Sequence, residues 1–275
     1  MRPAAFSYLS PRNLTDAVTA LNEGAVPLAG GQSLLQSMRM RELEPQAIFE
    51  LSGVDGLSDA IVVDEAEIRI GALTTHCALL ENELLGEEMP WLSEAANLLG
   101  DVQVRNRGTV LGNLCWADPR ANMAVALLAS DASVMAIDNA GELMKIPLDH
   151  FFTGFRTNCL NLQLATEIQI PRHTAARGAY LEFSRQRNDL ALVNAAVVAS
   201  ATTIRIAVGG IDPTPVLMTT PGAETISVAS IRHTLSPDSR EPVADHFGDA
   251  GFKLHVAQTL VDRLLRKLGV DINAD

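Results

Sequence analysis

The stretch Leu28-Ala29-Gly30-Gly31-Gln32-Ser33-Leu34-Leu35 places the tightest constraint on how this chain folds. The apolar run at residues 25–29 reads as a short strand that stops at two glycines. Ser33 then stands at a helix N-cap position, ahead of Leu34, Leu35 and Met38. Strand, glycine turn and helix start together leave backbone N–H groups unpaired at the positive end of a helix dipole, which favours an anion. Glycine suits such a turn because it accepts positive φ and lets a phosphate approach the backbone. The same residues also suit a plain strand-to-helix turn. They form neither G-x-G-x-x-G nor G-x-x-x-x-G-K-[ST], so the stretch alone does not choose between the two.

Composition narrows the function class. With 275 residues, 47% of them hydrophobic, the chain is long enough for two packed domains. A formal net charge of −12 argues against nucleic acid, whose phosphates call for a basic face. The charge is dispersed rather than gathered in a tail, so solubility is its simplest meaning. No apolar run reaches the roughly 18–20 residues of a membrane helix, and residues 1–30 lack a signal-peptide pattern, so a cytoplasmic location without a membrane span is expected. Cys77, Cys115 and Cys159 lie far apart, outside any C-x-x-C pair, and read as buried free thiols. The histidines form no H-x-x-x-H pair, and no metal ligand set, acid–base dyad or nucleophile triad emerges.

Along the chain, residues 1–55 read as strand, helix, strand, helix, strand. Residues 61–63 and 67–70 suggest a hairpin, as do 133–137 and 142–146 across the turn Asp138-Asn-Ala-Gly141. Residues 74–85, 91–99 and 122–128 look helical, with 100–105 as a loop. Residues 168–170 make a short strand that ends at Pro171. The polar stretch 172–178 marks a domain boundary. Beyond it, segments 179–185, 191–201 and 203–208 read as a three-stranded antiparallel sheet, and helices follow at 228–235 and 252–268. The last helix carries an apolar stripe (Leu254, Ala257, Val261, Leu264, Leu265, Leu268) that suits core against the sheet or a subunit contact. Hairpins mixed with helices indicate α+β rather than a doubly wound sheet.

A second glycine-rich stretch, Arg107-Gly-Thr109-Val-Leu111-Gly112-Asn113 followed by Ala117-Asp-Pro119, again leads into a helix. Residues 29–35 resemble the A-G-G-x-[SD]-L-L motif, and residues 107–119 the R-G-T-I-G-G-N…A-D-P motif, of the FAD-binding medium subunits of molybdenum hydroxylases. That family includes carbon monoxide dehydrogenase, xanthine dehydrogenase and hydroxylases of aromatic or N-heterocyclic compounds. The resemblance runs over essentially the whole chain, through residues 180–191 and 209–216.

The resemblance implies an α+β fold. Residues 1–174 would form a two-part FAD-binding domain of the p-cresol methylhydroxylase/vanillyl-alcohol oxidase type, with subdomains at about 1–55 and 56–174, and residues 175–275 a C-terminal α+β domain. It implies that Ala29, Gly30, Gly31, Gln32, Ser33 and Leu34 cradle the FAD phosphates. Thr109, Gly112 and Asn113, with Ala117 beyond them, would form the facing wall. Asn122 would accept from a ribityl hydroxyl where the family has aspartate. Leu164 and Leu190 would approach the flavin, although both also suit core. Glu182 stands where a lysine commonly nears the ring; the favoured reading for it is an exposed strand position, with the lysine's role vacant or taken by Arg185. Leu111 replaces a glycine, which would narrow the slot unless the backbone there keeps negative φ. Ala124 replaces a common proline.

The function implied is electron transfer. A large molybdenum-cofactor subunit hydroxylates substrate, a small [2Fe-2S] subunit relays electrons to FAD on this chain, and FAD passes them to an external acceptor; a dimer of heterotrimers is one assembly the family allows. Two other readings stay open on the residues: a scaffolding subunit that has lost flavin, suggested by Leu111, Glu182 and Leu190, and a self-sufficient FAD oxidoreductase.

Overall fold

The structure, a computed structural model, describes residues 2–173, 175–221, 225–236, 244 and 248–273. Thr174, the last residue of the expected first domain, lies outside the described residues, as does His246.

The chain begins with β1 (Ser7–Leu9), α1 (Leu14–Asn22), β2 (Val26–Leu28), α2 (Leu34–Met40) and β3 (Ala47–Glu50). β3 lies between β1 and β2, parallel to both. The Asn13 side chain accepts from Asp16 N to start α1, which buries Ala17, Val18 and Ala20, and Gly24 turns the chain out at φ +89°.

A second sheet has the order β4-β5-β10-β6-β7 and is built from β4 (Ile61–Val63), β5 (Glu67–Gly71), β6 (Ser133–Ile137), β7 (Leu143–Pro147) and β10 (Leu164–Pro171). Six helices fill the gap between β5 and β6: α3 (His76–Glu81), α4 (Glu83–Glu88), α5 (Pro90–Leu98), α6 (Val102–Arg107), α7 (Val110–Trp116) and α8 (Asn122–Ala129). α9 (Leu148–Phe151) and the small hairpin β8 (Phe152–Gly154) and β9 (Thr157–Asn158) lead into β10.

The third sheet corrects the expected count of strands. It has four, not three: β11 (Arg177–Phe183), β12 (Val193–Ala199), β13 (Thr203–Gly209) and β14 (Val216–Pro221), antiparallel in that order. β14 follows Pro213 and Pro215 and closes on Pro221, and those prolines masked it as a strand in the sequence. The chain ends with β15 (Thr225–Ser227), α10 (Val228–Thr234), α11 (Ala250–Lys267) and β16 (Asp271–Asn273), with β15 and β16 parallel.

Every residue of β12 is buried, because the third sheet is covered on both faces. Val193, Ala195, Val197 and Ala199 join the α11 stripe, which is therefore core, at about 1.5–3 kcal/mol for each fully buried leucine. Ala196 and Val198 point the other way and enter the core of α5, α7, α8 and the second sheet. α8, buried at all eight positions, lies at the centre of that shared core.

Two further expectations fail locally. Residues 100–105 are not a loop throughout: α6 starts where the Asp101 side chain accepts from Val104 N, and Arg105 Nη1 donates to Leu99 O and Gly100 O. α6 buries none of its residues, so it carries no apolar periodicity to read. β10 extends beyond residues 168–170 to Leu164–Pro171, and a bulge between Ala165 and Glu167 breaks the period-2 pattern that would have shown its first half.

Candidate functional site

A cleft of about 590 Å³ opens where the carboxyl end of β2 faces α7 and β10. That volume lies within the roughly 300–1,000 Å³ usual for small-molecule sites. The residues 29–34 loop forms one wall, residues 108–113 the opposite one, and the β11–β12 turn at Asn188, Asp189 and Leu190 overhangs the rim. Of the residues singled out in the sequence, Ala29, Gly30, Gly31, Gln32, Ser33, Leu34, Thr109, Gly112, Asn113, Asn122, Leu164 and Leu190 all line it; Ala117 and Glu182 do not.

The two glycine loops meet. A methyl group on Gly30 would fall on the backbone carbonyl of Arg107 and within 2.8 Å of Gly108 Cα, so Gly30 is required by loop–loop packing. Gly31 is required by its backbone, φ +76°. The N–H groups of Gly30, Gly31, Gln32 and Ser33 meet no acceptor among the described residues, which leaves a row of donors on the cleft wall.

Ser33 is not the side-chain cap that the sequence suggested. The turn delivers it already helical (φ −93°, ψ −53°), and its hydroxyl makes no cap hydrogen bond. Thr109 does cap: its Oγ1 accepts from Gly112 N at 3.1 Å, and a methyl group on Gly112 would come within 2.6 Å of that oxygen. Asn113 Oδ1 is buried on the same wall without a partner among the described residues. Leu111 lies inside α7 with negative φ and contributes apolar wall, so the loss of glycine there does not strain the loop.

Leu164 is both core and wall, packed with Phe49 and Leu51 while lining the cleft. Leu190 is 45% exposed at the rim, which removes the core reading for it. Ala117 ends α7 in the left-handed region (φ 53°), and its carbonyl accepts from Arg156 N. Next to it, buried Asp118 accepts from Arg120 Nε at 3.1 Å and Arg156 Nε at 3.4 Å. The Arg156 guanidinium also lies 5.1 Å above the ring of Trp116, a cleft residue, and so pins that wall.

Glu182 is neither an exposed strand position nor a lining residue. Its Oε2 accepts from Asn122 Nδ2 at 2.8 Å and from Tyr180 Oη at 3.1 Å. Burial raises its pKa, with both donors opposing. Tyr180 Oη accepts from Asn194 Nδ2 at 3.1 Å, and burial followed by the charge of Glu182 raises its pKa well above the ordinary value.

His76 was missed in the sequence. At the start of α3 it is 1% exposed, lines the cleft and has no partner for Nδ1 among the described residues. Burial first, and Arg105 second, hold its pKa down at about 4, so it is a neutral imidazole at pH 7. A lone histidine at a helix start gives no pattern to find. Asn161 and Asn188, both lining and both at positive φ (49° and 70°), were equally silent in the sequence. Cys77, Cys115 and Cys159 are free and partly buried; burial pushes the Cys115 thiol up to about 12. Among the described residues no group of three His, Cys, Asp or Glu side chains could hold a metal, and no helix is long and apolar enough to cross a membrane.

Residues 4–173 match the family described as the FAD binding domain in molybdopterin dehydrogenase. The chain is 32% identical to the 6-hydroxypseudooxynicotine dehydrogenase complex subunit alpha of Paenarthrobacter nicotinovorans, over 97% of this chain and 95% of that one. It is 28% identical to the glyceraldehyde dehydrogenase medium chain of Sulfolobus acidocaldarius, over 98% and 100%. Among solved structures, a chain of carbon monoxide dehydrogenase from Hydrogenophaga pseudoflava superposes with a TM-score of 0.84 at 28% identity, covering 97% of this chain and 98% of that chain.

Proposed function

The chain belongs to the family of FAD binding domains in molybdopterin dehydrogenases, and from that membership we propose that it is the electron-transferring medium subunit of a heterotrimeric molybdenum hydroxylase. Its cofactor is FAD, and it is an oxidoreductase component. One observation carries the assignment of the cleft: two glycine loops packed against each other, with four consecutive N–H donors that meet no acceptor among the described residues.

The residues present fit this group. The N–H row from Gly30 to Ser33 suits a pyrophosphate without a lysine. Asn113 and Asn122 offer carbonyl acceptors to ribityl hydroxyls. Leu164, Leu190 and Trp116 supply apolar surface for a flat ring and exclude water from it. Bound FAD supplies the redox chemistry, with electrons arriving from the [2Fe-2S] clusters of a small partner and leaving to an external acceptor. The protein's own part is to bind, orient and shield. Leu111 and Leu190 leave the cleft open and Glu182 lies behind it, so the features that suggested loss of flavin do not obstruct the site.

The finer parts of the proposal are these. The first two sheets form an FAD-binding domain of the p-cresol methylhydroxylase/vanillyl-alcohol oxidase type over residues 1–174, split near residue 55, and residues 175–275 form the second domain. A large molybdenum-cofactor subunit and a small [2Fe-2S] subunit complete a heterotrimer that can double, located in the cytoplasm. Their support is the strand order, the family membership and the names of the relatives.

Anaerobic mixing of the purified complex with its organic substrate tests this function. The flavin band should bleach in the complex and stay unchanged in the isolated chain. Bleaching of the isolated chain would instead indicate a self-sufficient flavoenzyme, and a colourless intact complex would indicate a scaffold.

A further inference from the structure

We propose that Glu182 is a positioning residue, acting on the cofactor through Asn122 rather than by touching the flavin ring. The inference rests on the FAD reading of the cleft. Asn122 begins α8 and lines the cleft; Glu182 sits on β11 and does not. The orientation of the Asn122 carboxamide is fixed by what surrounds it. Nδ2 faces two acceptors, the Ala95 carbonyl at 3.1 Å and Glu182 Oε2 at 2.8 Å, and a flipped amide would set Oδ1 against both. With both amide protons committed, the group that Asn122 has left for a ligand is the carbonyl oxygen, an acceptor for a hydroxyl.

Glu182 is held in turn. The direction of donation runs from Asn194 Nδ2 to Tyr180 Oη, from Tyr180 Oη–H to Glu182 Oε2, and from Asn122 Nδ2 to the same oxygen. Asn194 is oriented by a second acceptor, the Arg120 carbonyl at 3.0 Å. The amide donors end on the Ala95 and Arg120 carbonyls, which can only accept, and the Tyr180 hydroxyl passes its own proton on to the Glu182 oxygen, so the direction of donation along the chain is fixed. It runs from β12 through β11 to the first residue of α8. The third sheet, which contributes only a rim turn to the cleft, thereby sets a polar contact on the cleft wall.

The test is a double-mutant cycle on the full chain. FAD affinity would be read from fluorescence quenching on adding FAD to flavin-depleted protein, with the melting temperature of the flavin-free form measured alongside. E182Q keeps an acceptor oxygen and should bind FAD within about twofold of wild type. E182L removes the acceptor, frees the Asn122 amide, and should weaken binding about tenfold. In an N122A background E182L should have no further effect, because its route to the cofactor is gone. Equal binding by E182L and wild type would overturn the proposal, as would additive losses in the double variant. Weakening by E182Q equal to that by E182L, with a shifted flavin potential, would also overturn it, because the charge would then act directly. If E182L does not fold, E182M in the same cycle decides the same question. Failure of the wild-type chain itself to bind FAD would instead count against the cofactor reading.

Discussion

Gly30 and Gly31 are neighbours with different duties, and their substitution should separate them. Gly30→Ala puts a methyl group on a backbone carbonyl of the facing loop, which cannot move without displacing residues 107–108, so flavin content should collapse. Gly31→Ala meets side chains rather than backbone, Leu35 at 2.8 Å and Leu28 at 3.3 Å, but strains a left-handed backbone; it should cost about 1–2 kcal/mol and retain part of the flavin. Flavin-to-protein ratio and melting temperature of the two variants check this order. His76 makes a pH prediction. Its folded pKa of about 4 lies below the ordinary 6.5, so as pH falls through that interval the unfolded chain takes up a proton that the folded chain refuses. Stability of the flavin-free chain should therefore be full above pH 6.5 and decline toward pH 4, by on the order of 3 kcal/mol. Urea titrations at pH 7 and pH 5 should show a drop that His76→Gln reduces.

At the scale of elements, the third sheet is fastened to the rest of the molecule by close approaches that tolerate no added atoms. A methyl group on Gly178 of β11 would overlap the indole of Trp91, whose Nε1 donates to Ser130 Oγ at 2.8 Å. On Gly209 it would overlap Asn194 Oδ1 and the Pro119 carbonyl. Gly178→Ala should thus destabilise the chain by about 1–3 kcal/mol, read as a lower urea midpoint. Gly210 N donates to the same Pro119 carbonyl, so residues 119–120, beside the cleft, hang from β12 and β13. Elements with a clean period were legible in the sequence: α1, α11, the two hairpins and the strand-helix-strand opening. α6 was not, because it is solvent-facing and made by its cap. β10 was read only in part because its bulge interrupts alternation. β14 was hidden by prolines that an edge strand accepts.

At the scale of the molecule, the cleft is assembled from segments distant in sequence, and this decided how much of the site could be read. Both glycine loops were legible because each is a local motif. Their contact through Gly30 and Arg107 was not, since nothing in either stretch says that they touch. The same holds for His76, which the fold carries to the cleft from α3, and for Glu182, whose donor Asn122 comes from α8 while its other donor, Tyr180, is itself held by Asn194 of β12. Leu164 and Leu190 looked alike as apolar residues, and only the fold separates a packed wall from an exposed rim. Whether this cleft holds FAD is decided by the identity and amount of flavin released from the purified complex and assigned to this chain. One FAD per chain is expected, lost in Gly30→Ala while the iron and molybdenum content of the purified complex is unchanged. A complex with no flavin on this chain, or a Gly30→Ala chain that still holds a full complement, would contradict it.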